Sequence, residues 1–140
     1  MLQHRFVEFI PDIIEEGFLF VSLEYCTAIH NCVCGCGGKV VTPISPTDWQ
    51  MYFNGRTITL TPSIGNWNFD CKSHYFIRGS EVEWCSKWSK KEIADGRKHD
   101  LKIKEDFYKE SKSATEIALD VSQKSEPSGW QWLSFLRFWK

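Results

Sequence analysis

The sequence lacks an excess of charge of either sign, and it lacks long hydrophobic runs. Its 140 residues include 17 Lys and Arg against 18 Asp and Glu, which gives a formal net charge of −1. This balance argues against a strongly basic nucleic-acid-binding surface and against an acidic, self-repelling disordered chain. No stretch approaches the roughly 20 apolar residues that a membrane-spanning helix needs, and the N-terminus shows no apolar segment typical of a signal peptide. We therefore expect a cytoplasmic protein without a nucleic-acid or membrane partner.

The chain is, by contrast, rich in aromatic residues and in cysteine. Hydrophobic residues make up 42% and aromatic residues 15% of the sequence, which predicts a packed core over most of the length. All six cysteines lie between Cys26 and Cys85. In a reducing cytoplasm, such a cluster is more typical of a metal site or a catalytic site than of a disulfide framework.

Turn signals and alternating runs predict the fold class. Two alternating runs flank Asn54-Gly55, the strongest short-range signal for a β-hairpin, and a second hairpin is predicted around a turn at residues 78–80. Residues 11–17 are typical of one short helical turn closed by glycine. We therefore predict an α+β, mainly β fold, in which a small antiparallel β-hairpin domain has a short N-terminal helical turn and is followed by C-terminal helices.

The composition changes after Cys85. Interleaved charges of both signs predict an exposed helix or a solvated connector. The last segment places four apolar side chains on one helical face, namely Trp132, Phe135, Leu136 and Trp139. This face could pack as core, dock a partner or lie on a membrane surface, where its two basic residues would give little attraction. The predicted division is a β domain at residues 1–88, then a charged helical connector and an aromatic terminal helix at residues 89–140.

Four cysteines have the pattern of a metal site. Cys32, Cys34 and Cys36 alternate beside turn glycines, and Cys71 comes from the start of a later strand. Zinc takes four ligands tetrahedrally, and thiolates are its preferred structural ligands. These four side chains would tie two parts of a small β domain together, so we predict a structural Zn²⁺ site that acts as a staple.

Two alternatives to this site stay open. Buried free cysteines often act as small hydrophobic residues, and this is what we expect of Cys26 and Cys85, which lie within strand patterns. If Cys32 points away, His74 or His30 could complete the metal site instead. A set that includes histidine and leaves an open position would make the zinc catalytic.

Ser63 is a candidate nucleophile. It lies where the predicted hairpin strand ends, before a sharp turn at Gly65-Asn66, and the amides that follow it could form a small anion-binding nest. Pairing of the flanking strands would bring His74 close to Ser63 as a base. Alternation along the strand places Ser73 on the opposite face, near the metal. The simpler alternatives are an ordinary turn serine and a structural histidine.

Several motifs, in the same order and spacing, resemble the BubE-like family of small bacterial proteins. The resemblance covers roughly residues 5–90 and is carried by the runs TAIHNCVCGCG (27–37), TPISPTDW (42–49), TLTPSIGNW (59–67) and CKSHYFI (71–77). Some members are encoded in bacterial ubiquitination-like operons, beside proteins that resemble activating and conjugating enzymes and a ubiquitin-like modifier.

The resemblance implies a serine peptidase that trims the C-terminus of a ubiquitin-like precursor, with other proteins of the operon as further partners. It supports the four cysteines as a zinc site and places Ser63, Ser73 and His74 within family motifs. We favour Ser63 as the nucleophile with His74 as the base, and Ser73 is the alternative nucleophile. A carboxylate should orient the histidine, and no spacing selects among the candidates Asp48, Asp70 and Glu24.

Two functions of other classes stay open beside the serine peptidase. One is a zinc metallopeptidase, in which His74 or His30 joins the cysteines and a metal-bound water attacks the substrate. The other is a non-catalytic, zinc-stapled module that recruits proteins of the same pathway. Serine substitution, chelation and precursor cleavage together distinguish the three.

Overall fold

The computed structural model describes the backbone of residues 1–124 and the side chains of residues 1–112. The chain divides into two compact units, residues 1–101 and 102–140, and the boundary predicted at residue 88 stays a prediction. The first unit holds two four-stranded sheets, and the helix α1 (Lys90–Lys124) follows them along the chain. The prediction of a mainly β fold followed by a C-terminal helix is confirmed. The aromatic helix predicted at residues 130–140 lies outside the described residues.

The first sheet contains four strands in sequence order. They are β1 (Gln3–Phe6), β2 (Phe18–Ser22), β3 (Thr27–Asn31) and β4 (Lys39–Pro43). Neighbours among β2, β3 and β4 are antiparallel, but β1 pairs with β2 in parallel. The prediction of an antiparallel hairpin domain is therefore wrong for β1. A parallel pair needs a return connection instead of a tight turn, and residues 7–17 provide it.

This return connection has bends and a turn where the sequence predicts a helical turn at residues 11–17, so that prediction is wrong. Side chains of the first sheet donate hydrogen bonds to carbonyl groups that would otherwise accept hydrogen bonds within a helix. Asn31 Nδ2 donates to the carbonyl of Ile14 at 2.7 Å, and Lys39 Nζ donates to the carbonyl of Asp12 at 2.6 Å. Gly17 still closes the segment, because its φ of +78° is a conformation that favours glycine.

The second sheet is antiparallel throughout. Its strands, again in sequence order, are β5 (Gln50–Phe53), β6 (Ile58–Gly65), β7 (His74–Arg78) and β8 (Glu81–Trp84). The turn between β5 and β6 is built on Asn54, whose Oδ1 accepts from the amide of Thr57 at 2.8 Å. β6 does not end at Ser63 as predicted, since it continues through Pro62 and Ser63 to Gly65. This extension places Ser63 inside a strand.

Both sheets contribute one face to a common core. The buried cluster comprises Leu2, Leu19, Val21, Ala28, Cys32, Val40, Ile58, Leu60, Ile64, Tyr75 and Ile77. Because side chains alternate across a strand, residues next to these core positions lie on the other face of the sheet. On the second sheet, that other face carries Ser63 and His74.

The helix α1 begins with a reciprocal cap. The amide of Glu92 donates to Oγ of Ser89 at 3.3 Å, and the amide of Ser89 donates to a carboxylate oxygen of Glu92 at 2.7 Å. Such a pair satisfies two amides that a helix start leaves free. Within residues 1–124, no helix combines the length and the apolar character that crossing a bilayer requires.

Candidate active site

Ser63 and His74 are in hydrogen-bond contact on the face of the second sheet that points away from the core. The ladder places Gly65 opposite His74, so Ser63 lies two residues from the partner of the histidine. Nε2 of His74 is 2.9 Å from Oγ of Ser63. His74 is buried and Ser63 is half-buried. The hydroxyl is therefore held by the histidine while part of the serine stays accessible to solvent.

An irregularity in β6 positions Ser63. The register shifts between Leu60 and Ile64, so that the residues between them lie opposite the single residue Phe76 of β7. Bulged segments of this kind redirect side chains and are frequent beside active sites. The bulge accounts for an exposed proline, Pro62, within the strand, because proline has no N–H to donate to a ladder.

The predicted nest of amides after Ser63 is wrong. A nest needs a compact turn conformation at successive residues, whereas the chain stays extended to Gly65. The turn comes later: the amide of Asn66 still pairs with the carbonyl of Ser73 at 2.9 Å, and the chain reverses between these two residues. The backbone next to Ser63 is therefore a strand edge and not an anion-binding loop.

A backbone carbonyl orients His74. Its Nδ1 lies 2.9 Å from the carbonyl oxygen of Ser86. Because a carbonyl oxygen can only accept a hydrogen bond, Nδ1 must be the donor and carries the proton. Nε2 is then the unprotonated nitrogen that accepts the hydroxyl of Ser63. Ser86 is brought there because the amide of Cys85 donates to the carbonyl of His74 at 2.9 Å.

Ser86 occupies the place that the sequence assigns to a carboxylate. Both ring nitrogens of His74 are engaged, one by Ser63 and one by Ser86. The acidic candidates for that place were Asp48, Asp70 and Glu24. The role of Ser86 could not be found from the sequence, because every residue has a carbonyl and no side chain marks the one that is used.

Two stacked tryptophans pack against the histidine ring. The ring of His74 lies 5.0 Å from that of Trp67 and 5.1 Å from that of Trp88, and the two indoles stack at 5.4 Å. The indole of Trp67 covers Gly65 so closely that a Cβ there would lie 2.4 Å from its Cε2. The two indoles therefore form one stacked pair that packs against the imidazole.

The four predicted metal ligands come together at the edge of the core. The sulfur atoms of Cys32, Cys34, Cys36 and Cys71 all lie within 4.8 Å of one another. Sγ of Cys32 is 3.4 Å from that of Cys34 and 4.0 Å from that of Cys71, and Sγ of Cys36 is 3.6 Å from that of Cys71. A tetrahedral zinc with bonds of about 2.3 Å needs sulfurs about 3.8 Å apart. The four thiols therefore fit a metal ion of this kind.

The pKa values of two thiols in this cluster are shifted in opposite directions. Burial opposes ionisation of Cys71, but hydrogen bonds with the side chain and amide of Ser73 and with the thiols of Cys34 and Cys36 outweigh it and lower the pKa of Cys71 to about 6. Desolvation, together with its hydrogen bond to Cys32, raises the pKa of Cys34 to about 12. Cys71 therefore ionises readily and Cys34 keeps its proton, which a bound metal ion would displace, because metal ligands must be deprotonated.

The side chain of Ser73 faces the cysteine cluster, on the side of the second sheet opposite to His74. Its Oγ is 3.1 Å from Sγ of Cys32 and 3.6 Å from Sγ of Cys71, and it accepts from Nδ2 of Asn66 at 2.8 Å. Ser73 is also buried, with 6% of its surface exposed. Ser73 and Asn66 thus form the hydrogen-bonding layer around the thiols, and Asn66 is a residue that the sequence reasoning missed.

His30 is not part of the metal-binding group. It is fully buried, and its Nε2 lies 2.9 Å from the hydroxyl of Tyr75. Among the described residues, the group that could hold a metal ion contains cysteines alone and neither His30 nor His74. Burial lowers the pKa of His30 to about 4, and burial also raises the pKa of Tyr75 well above its usual value. Both side chains therefore stay neutral at physiological pH.

Of the other two cysteines, which are predicted to be core residues, one is exposed and one is half-buried. Cys26 is exposed, because it lies in the turn between β2 and β3 with a φ of +46°. Cys85, just after β8, is half-buried. The prediction that both are core residues is wrong for Cys26, since β2 ends at Ser22 and β3 begins only at Thr27.

A family model matches residues 6–85 of the chain, and the family is described as the bacterial ubiquitination-like system serine protease BubE. The matched range contains Ser63, His74 and the four clustered cysteines. No curated protein and no solved structure matches the chain. The match spans more than half of the sequence, and it confirms the resemblance noted from the motifs.

Proposed function

Because the chain belongs to the BubE family of bacterial ubiquitination-like system serine proteases, we propose that it trims the C-terminus of a ubiquitin-like protein precursor in the cytoplasm. In this proposal Ser63 is the nucleophile and His74 is the general base. The observation that carries it is the 2.9 Å contact between Nε2 of His74 and Oγ of Ser63. A serine hydroxyl is a weak nucleophile until an adjacent base accepts its proton.

The reaction has two halves. Oγ of Ser63 bonds to the scissile carbonyl carbon while its proton passes to Nε2 of His74, and the imidazolium then gives that proton to the leaving amine as the C–N bond breaks. Water next attacks the acyl ester, again with His74 as base. The proton returns to Oγ of Ser63 as the trimmed precursor leaves.

The carbonyl of Ser86 does for His74 what a carboxylate does in a triad. By accepting the Nδ1–H it keeps the lone pair on Nε2, and it faces the positive charge that forms on the ring during proton transfer. The stacked indoles of Trp67 and Trp88 pack against the imidazole and add to the two hydrogen bonds that fix its orientation. A neutral carbonyl stabilises the imidazolium less than a carboxylate would. The fixed orientation of His74 toward Ser63 therefore contributes more to catalysis than charge stabilisation does.

The burial and hydrogen bonds of Ser73 support a metal-site role for this residue and not a nucleophilic one. Its oxygen faces the thiols of Cys32 and Cys71. We propose that the cysteine cluster holds a structural Zn²⁺, which when bound cross-links the loop between β3 and β4 to the start of β7. Four thiolates complete a tetrahedral set, which favours this arrangement over a metallopeptidase with an open coordination position.

The test is cleavage of the ubiquitin-like precursor encoded in the same operon, followed by mass spectrometry of the products. We expect Ser63→Ala to abolish cleavage while zinc content and the circular dichroism spectrum persist. Ser73→Ala, assayed in excess zinc, is the matched control, since it removes the same hydroxyl from the other face of the sheet. It should still cleave.

Three other outcomes would contradict this assignment. If Ser73→Ala stops cleavage and Ser63→Ala does not, the two serines exchange roles. If neither serine matters but chelation stops cleavage by a chain that remains folded, the protein is a metallopeptidase. If the zinc-loaded wild-type chain leaves the precursor intact, the chain is a non-catalytic interaction module and not a peptidase.

A further inference from the structure

The strand that carries the candidate nucleophile has an open edge over its second half. β5 pairs with β6 only as far as Thr61. One residue before β5, at Trp49, the chain has already turned away: its amide donates to the carbonyl of Pro43 at 3.1 Å, and its carbonyl accepts from the amide of Ser45 at 3.1 Å. On the β5 side, residues 62–65 therefore have no neighbouring strand within the described part of the chain.

The backbone of Gly65 points toward this open edge. In an antiparallel ladder, successive residues direct their N–H and C=O groups alternately to one side and the other. His74 directs its carbonyl to β8, where it accepts from the amide of Cys85. Its partner Gly65 therefore directs its own backbone groups away from β7. The next residue, Asn66, directs its amide N–H to the other side, where it donates to the carbonyl of Ser73.

We propose that the edge of β6 at Gly65 is the docking site for an extended segment of the substrate, which joins the second sheet as a strand in continuation of β5. This inference rests on the proposed function. The occupant follows from position, because Oγ of Ser63 lies only two residues away on the same strand. A chain paired with Gly65 would thus bring a neighbouring peptide bond to the hydroxyl.

This mode of recognition defines a substrate class. The N–H and C=O of Gly65 bind the C=O and N–H of one substrate residue, so recognition is directed at the extended main chain. A folded loop or a helix cannot present these groups to a strand edge. The substrate segment around the scissile bond must therefore be free of secondary structure, as an unstructured C-terminal tail is.

The experiment changes the substrate and leaves the enzyme fold untouched. A synthetic peptide spanning the cleavage site of the operon's ubiquitin-like precursor is prepared with a single N-methyl group at each position in turn. Binding of each peptide to the full-length, zinc-loaded Ser63→Ala chain is measured by calorimetry, and cleavage of the unmodified peptide is measured with the wild-type chain. N-methylation removes one main-chain donor, and the matched control is the same methyl group on the adjacent residue.

We expect methylation of the residue opposite Gly65 to weaken binding by about 10-fold or more, because it removes a hydrogen bond and places a methyl group at the strand edge. Methylation of either neighbour, whose N–H points away from β6, should change binding less than about 3-fold. If every N-methyl group weakens binding equally while cleavage still depends on Ser63, edge docking is wrong and the proposed function stands. Loss of Ser63-dependent cleavage would overturn the proposed function and edge docking with it.

Discussion

His30 should make the stability of the fold depend on pH. The ring is fully buried, and its Nε2 contacts the hydroxyl of Tyr75 at 2.9 Å. Its Nδ1 has no hydrogen-bond partner among the described residues. A protonated ring would place a charge and a second N–H donor in this site, which offers one partner. Burial therefore lowers the pKa of His30 from 6.5 to about 4.

The sign of the effect follows from proton binding. Between pH 6.5 and about pH 4, the unfolded chain protonates His30 and the folded chain does not. Because the unfolded state binds more protons, the free energy of unfolding falls as the pH falls through this window. The difference between the two pKa values corresponds to about 3 kcal/mol. This contribution is present in full above pH 6.5 and is lost by about pH 4.

The assay is urea unfolding of the full chain at intervals between pH 7 and pH 4, compared with the variant His30→Gln. Glutamine offers an amide to Tyr75 in place of Nε2 and does not titrate, and all other ionisable groups are common to both chains. We expect the free energy of unfolding of the wild type, relative to the variant, to fall by about 3 kcal/mol across the range. A relative stability that stays constant with pH would refute the reasoning.

Three further predictions concern the cysteine cluster and the packing beside His74. Ser73→Ala should weaken zinc retention about 10-fold or more in a chelator competition, because it removes the hydroxyl 3.1 Å from Sγ of Cys32; unchanged retention would exclude that role. Complete removal of zinc by a chelator should lower the melting temperature of the chain. An unchanged melting temperature would contradict a structural zinc in the cysteine cluster. Gly65→Ala should destabilise the fold by about 1–3 kcal/mol, since its Cβ would meet the indole of Trp67. The double variant with Trp67→Ala should remove most of that overlap, and equal unfolding midpoints for Gly65→Ala and wild type would contradict the packing argument.

Local signals account for the parts of the fold that the sequence predicts well. The turn at Asn54-Gly55 needs only its own residues, and the structure joins β5 and β6 there. The contact between Ser63 and His74 has a related cause, because consecutive strands joined by a short loop pair next to each other. Strand alternation then separates Ser73 from His74 without any knowledge of the rest of the chain.

The features that sequence reasoning missed depend on distant backbone contacts. Parallel pairing of β1 with β2 is decided by the path of residues 7–17 and leaves no periodicity in either strand. The bulge in β6 depends on how β7 packs beside it, and the orientation of His74 depends on the carbonyl of Ser86. Backbone groups are the same at every residue, so no side-chain pattern reports them.

The adjacency of Ser73 and His74 makes the length of the preceding turn as important as its composition. One residue faces the thiols and the next faces Ser63, so the two sites are separated by a single step along the chain. Removal or insertion of one residue between Cys71 and His74 would exchange their faces, turning the imidazole to the cysteine cluster and a different side chain to Ser63. Natural variation in this short segment should therefore occur by substitution at constant length, whereas the surface turns elsewhere are free to grow or shrink.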